Sequence, residues 1–273
     1  MTHCIQNSRA DAQFNTGIHA TAAGMLLSLR RPTHTQGRSL SAVIFERICV
    51  ESFLYHSTLM MLFDPLLDVQ HHIDHQINLD RYSPESADET GFGACTTTQP
   101  VLDGSYKFFL LIADVTRLAR IARSLNQTEV QTWMQLQVDV SRWETGYELC
   151  HSSTLYMLAM RILLLKVDPN SSAVEVMEQM QALLRQGLQI VEALDVHQFL
   201  IGYLLWPLAV LGSISVNRGE QAIIDKKISS LLCRTRQGLA VRVKYRLGQI
   251  WVYKEGTPST VMIMRLQMLM KGI

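Results

Sequence analysis

The chain has 273 residues, of which 48% are hydrophobic and 18% charged, and its formal net charge is +1. Its hydrophobic content excludes a disordered chain, and its charge balance gives no global pull toward nucleic acid or an anionic membrane. The length suits one large core, and a charged fraction below the usual quarter predicts that much of the chain is buried.

Residues 1–39 are polar and mixed, and no apolar stretch of a secretory signal opens them. Their one apolar patch, over 20–29, ends at Arg30-Arg31-Pro32, where the proline turns Arg31 away from helix and sets a boundary. The expected organisation is a polar N-terminal segment, 1–39, followed by a helical domain, 40–273. From 43 to 63 nearly every residue suits a helix, which Asp64-Pro65 stops.

Residues 64–100 change character. Asp64, Asp68, Asp74, Asp80, Glu85, Asp88 and Glu89 stand against Arg81 alone, with Ser83-Pro84, Gly91 and Gly93 among them. This predicts one long acidic loop. It holds His71, His72 and His75. In a helix His71 and His75 would share a face that could take a metal, with Asp68 as a third ligand. No Glu follows His71, so the metalloprotease pattern is absent. A solvated, partly protonated surface is the plainer reading, and no metal is assigned.

Helical spacing returns after Pro100. Phe108, Leu111, Ile112, Val115, Leu118, Ala119 and Ala122 recur as one helix face. Asn126-x-x-Glu129 and Ser172-x-x-Glu175 are capping-box patterns, each opening a further helix. The first of these loosens near Gly146, resumes, and ends at Asp168-Pro169-Asn170. Behind the second, Met177, Met180, Leu184, Leu188, Val191 and Leu194 line one face. Residues 199–216 form an uncharged apolar run near the lower length of a membrane span. Pro207 near its middle favours a buried helix, broken or kinked there, over a span. A long helix is expected over 222–245, and Thr257-Pro258 opens a last one with proline in first position. No strand signal is convincing. The fold class predicted is all-α: a single multi-helix domain with one long acidic loop.

Sequence-local chemistry is sparse. Cys4, Cys49, Cys95, Cys150 and Cys233 are far apart and form no CxxC, which reads as reduced, mostly buried thiols. GxSxG, GxGxxG and GxxxxGK are all missing, so no nucleophile or phosphate cradle is assigned, no catalytic residue is named and no cofactor is expected. Lys226, Lys227, Arg234, Arg236, Arg242, Lys244 and Arg246 gather late in the chain. A nucleic-acid or partner patch is one reading; a solvated helix face is the plainer one, because few aromatics interleave. Tyr55, His56, Tyr106, Tyr156, Tyr203 and Trp206 lie inside apolar helical runs. Convergence of several would make an apolar pocket with polar handles; ordinary core packing is the alternative for each.

Three segments carry a family likeness. VLDGSYKFFLLIADVTRLAR over 101–120 resembles a segment of the regulatory region of fungal zinc-cluster transcription factors. Phe45-Glu46-Arg47-Ile48 with the stretch 51–56 is similar to an earlier helix of that region, and Trp206-Pro207-Leu208 through Gly212 to its late Trp-Pro-Leu segment. The resemblance spans about 40–255. It implies an all-α domain concerned with activation, effector response and dimerisation, so a homodimer is compatible with it. The six-cysteine cluster that reads DNA in that family is not in this sequence, so direct sequence-specific DNA binding by that route is not expected. Two roles follow. One is a regulator, intracellular in nucleus or cytoplasm, acting through a regulatory protein or a hydrophobic small molecule and tied to secondary-metabolite biosynthesis. The other is an apolar-pocket cyclase or pericyclase, which needs orientation more than a nucleophile.

Overall fold

The structure is a computed structural model that describes residues 40–69, 106–146, 151–194, 201–235 and 238–271. These residues fold into α1 (Leu40–Met61), α2 (Tyr106–Ala119), α3 (Gln127–Gly146), α4 (His151–Lys166), α5 (Ala173–Ala193), a 3-10 turn (Ile201–Leu204), α6 (Leu205–Ile214), α7 (Arg218–Thr235), α8 (Gly238–Val252) and α9 (Pro258–Lys271). Among the described residues there is no strand, so the chain is all-α as its periodicity predicts. The segment 1–39, most of the acidic stretch and the histidines at 71, 72 and 75 lie outside the described residues.

The chain divides into two compact units, residues 1–60 with 66–110, and residues 61–65 with 111–273. The described part of the first unit is mainly α1 and the opening turn of α2. From Val50 onward α1 is buried nearly all round, polar Glu51, Ser57 and Thr58 included. A stretch with no solvent face shows no amphipathic period, which is why this part of α1 reads only as generally helix-compatible.

In the second unit α6 is the central element. All ten of its residues are buried, and α4, α5, α7, α8 and α9 pack against it. Pro207 does not kink this helix. The 3-10 turn precedes it, and α6 begins two residues before Pro207, so the proline falls in the first turn, where its missing N–H costs no intrahelical bond. Small residues let the neighbours come close. A Cβ on Gly212 would stand 2.7 Å from a Leu247 methyl of α8 and 3.1 Å from Ile224 of α7.

Helix starts are closed locally. In the Asn126 box the Glu129 amide donates to Asn126 Oδ1 at 2.9 Å and the Asn126 amide to Glu129 Oε2 at 2.8 Å. Ser172 and Glu175 form the second box. A third, unforeseen, joins Asn217 and Glu220 at the start of α7, with the Glu220 amide 2.9 Å from Asn217 Oδ1. The long helix expected over 222–245 is two helices, α7 and α8, with Gly238 opening the second. Between α8 and α9, Gly256 takes φ 105°, a conformation that favours glycine.

Helix ends are closed from a distance. The last carbonyls of a helix lack intrahelical partners and carry partial negative charge, so a cation suits them. Arg120 donates to the carbonyls of Met61 and Asp64 behind α1, the latter at 2.7 Å. Lys166 of α4 donates to Ala119 O at 2.6 Å at the end of α2, and Lys227 of α7 to Leu194 O at 2.6 Å at the end of α5. Arg265 of α9, 1% exposed, donates to Ser215 O behind α6 at 2.7 Å and, at the end of α8, to Trp251 O and Tyr253 O at 3.2 and 2.8 Å. Two indoles add to the set, Trp133 to Leu164 O at 3.1 Å and Trp251 to Gly212 O at 2.7 Å.

Candidate functional site

Three of the six candidate pocket residues belong to the first unit. Tyr55 is 2% exposed, with its ring edge-on to His56 at 5.0 Å and to Phe109 at 6.1 Å. That is the geometry aromatic quadrupoles prefer. His56 follows on α1, and its Nδ1 is buried without a hydrogen-bond partner among the described residues, as are Ser57 Oγ and Thr58 Oγ1. Burial holds the His56 pKa below the usual histidine value, which favours the neutral ring. Tyr106 is half-buried at the start of α2.

The other three meet in the second unit. Tyr156 of α4 stacks on Trp206 of α6, with centroids 5.6 Å apart and planes 13° from parallel. Its hydroxyl donates to the carbonyl of Tyr203 in the 3-10 turn, so Tyr203 takes part through its backbone. Trp206 is 1% exposed, and its Nε1 has no partner among the described residues. A hydroxyl held by a main-chain carbonyl and a stacked, buried indole pin the start of α6 to α4.

Helices α3, α4 and α5 form a groove of about 320 Å³, open to solvent, that none of these six residues lines. Each helix supplies three side chains at i, i+3 and i+4. They are Gln137, Val140 and Ser141 from α3, Arg161, Leu164 and Leu165 from α4, and Gln179, Ala182 and Leu183 from α5. That spacing is one helix face, and each face opens with a polar residue and continues with an apolar one. The floor is aliphatic, with Val140 and Leu164 buried, and Arg161 is the one charged side chain among the lining residues. Sequence reasoning passed over this site. Its i, i+3, i+4 triplets look like the boundary of any amphipathic helix, and no local feature says that three such boundaries meet.

The family model of the fungal specific transcription factor domain matches residues 1–261. The chain belongs to that family. No match was found among curated proteins or among solved structures. The family resemblance read from the sequence rests on residues that the structure puts to work. In this fungal transcription factor domain, the segment 101–120 carries α2 and ends on Arg120, whose guanidinium closes α1. Trp206-Pro207-Leu208 forms the first turn of the central helix α6.

Four of the late basic residues are engaged within the domain. Besides Lys227, Lys244 pairs with Asp225 at 3.0 Å and donates to Ser229 at 2.6 Å, and Arg242 lies 5.8 Å from the centre of the Phe63 ring. Arg246 is buried. Lys227, Arg242, Lys244 and Arg246 are thus packed or bonded, Lys226 is exposed as the plainer reading of a solvated face has it, and the side chains of Arg234 and Arg236 lie outside the described residues. Lys166 is pushed down to about 8, first by burial and then by the charge of Lys271. Among the described residues no group of His, Cys, Asp and Glu could hold a metal, and no helix is long and apolar enough to cross a membrane. Of the described cysteines, Cys49 is half-buried and Cys233 exposed, and both are free; neither is the buried thiol expected from the spacing, and Cys4, Cys95 and Cys150 lie outside the described residues.

Proposed function

We infer that the chain is a regulatory helical module of the intracellular transcription machinery, in nucleus or cytoplasm, that acts by binding a small effector or a regulatory protein. The family match over residues 1–261 carries this reading. The groove on α3, α4 and α5 supports the effector arm, because it has the size and mixed lining of a small-molecule site. Secondary-metabolite biosynthesis is the process we assign to it, and a homodimer is an assembly compatible with the family.

A second reading, a cyclase or pericyclase acting on a hydrophobic intermediate, draws on one observation. The Nδ1 of His56 is buried without a hydrogen-bond partner among the described residues, a group free to meet a substrate carbonyl or developing charge. Deleting the gene in the fungus that carries it separates the two. A regulator predicts that transcripts of a biosynthetic gene set change and that their products fall together. An enzyme predicts unchanged transcripts and one accumulated intermediate, which the purified protein then converts.

A further inference from the structure

We propose that the groove between α3, α4 and α5 binds a small amphipathic anion, an apolar body bearing one carboxylate. The proposal rests on the regulatory reading and names the class of effector. The volume of about 320 Å³ suits a small molecule. Val140, Leu164, Leu165 and Leu183 provide an aliphatic bed for an apolar chain. The lining residues include one cation, Arg161, and no acid, so the site prefers a negative head to a neutral or positive one. A guanidinium presents five N–H donors, so it holds a carboxylate while serving a protein acceptor as well. Gln137 and Gln179, from the two flanking helices, add amides that donate to a carboxylate or accept from a hydroxyl.

The test is isothermal titration calorimetry on the full chain with three probes of equal chain length: decanoate, 1-decanol and decylammonium. Decanoate should bind in one saturable step with a dissociation constant under about 1 mM. It should bind at least about tenfold more tightly than decanol, with decylammonium weakest. Arg161→Gln should remove about tenfold of the decanoate affinity while leaving decanol unchanged. Ala182→Trp, at an exposed lining position, should fill the groove and abolish binding of all three while the far-ultraviolet circular dichroism and melting temperature stay at wild-type values. Should Arg161→Gln fail to fold, the decanoate-to-decanol ratio on wild type and the loss in Ala182→Trp still decide the matter. Equal affinity for the three probes, undiminished binding in Ala182→Trp, or no saturable decanoate binding would overturn the proposal. Failure here with transcripts still changed on gene deletion removes the ligand and leaves the regulator. Binding with transcripts unchanged removes the regulator and leaves the groove.

Discussion

Arg265 shows how a single side chain decides the packing of this protein. Its guanidinium, 1% exposed, is surrounded by the carbonyls of Ser215, Trp251 and Tyr253. A buried cation facing carbonyls at helix ends is stabilised by their partial charges, and in return satisfies acceptors left without an intrahelical partner. Arg265→Met should cost about 3 kcal/mol, read as a lower urea midpoint at constant slope. Arg265→Lys should recover only part of it, because an ammonium cannot reach three carbonyls in a plane. A loss below about 1 kcal/mol for the methionine variant would show that those carbonyls find other partners.

Two buried titratable groups set opposite ends of the pH profile. His56 has a lowered folded-state pKa, so the unfolded chain takes up the proton first as pH falls. Stability therefore declines below about 6.5, the unfolded value, and His56→Phe should flatten that acid limb when melting temperatures are compared from about pH 5 to 8. Lys166 titrates near 8 when folded, below its unfolded value. The folded state then releases its proton first, and this group adds stability as pH rises from about 8 to about 10.4. Lys166→Met should lose that rise. An identical pH dependence in variant and wild type would place either group in contact with water.

At the scale of elements, the starts and ends of helices obey different rules. Starts are closed within four residues of sequence. Asn126 with Glu129 and Ser172 with Glu175 are readable directly, because the cap and its partner form a local motif. Asn217 with Glu220 has the same pattern and was passed over. Gly219 sits in the first turn of α7, where a glycine disturbs little. Asn217→Ala should therefore destabilise by about 1 kcal/mol, as caps do, measured by the denaturant midpoint. Ends are closed by Arg120, Lys166, Lys227 and Arg265, whose bonds to Asp64, Ala119, Leu194 and Ser215 join residues too far apart in sequence to form a local motif. For the same reason Lys227, Arg242, Lys244 and Arg246 look like part of a surface patch on paper and are packed or bonded in the fold. The central helix tests close packing. Gly212→Ala gains about 1 kcal/mol of helix propensity, and its methyl would sit 2.7 Å from Leu247, which is fully buried. A net loss of about 1 kcal/mol is expected. A more stable variant would show that α6 and α8 have room to part.

Across the whole chain, the helical architecture was readable because apolar spacing, capping patterns and prolines agree with one another. The family was readable from three ordered segments. The candidate pocket was read from residue type alone, and residue type does not tell where side chains meet. Tyr156, Tyr203 and Trp206 do come together, around a helix start, while the described groove draws on residues with no distinctive chemistry of their own. The central claim is that this chain governs transcription by binding. It is tested most directly by tethering residues 1–273 to an unrelated DNA-binding domain in a heterologous host and measuring a reporter that carries the matching sites. The account predicts that the tethered chain shifts reporter output and that Ala182→Trp changes the shift at equal protein level. A reporter indifferent to the tethered chain, with the purified protein turning over a hydrophobic intermediate, would contradict it.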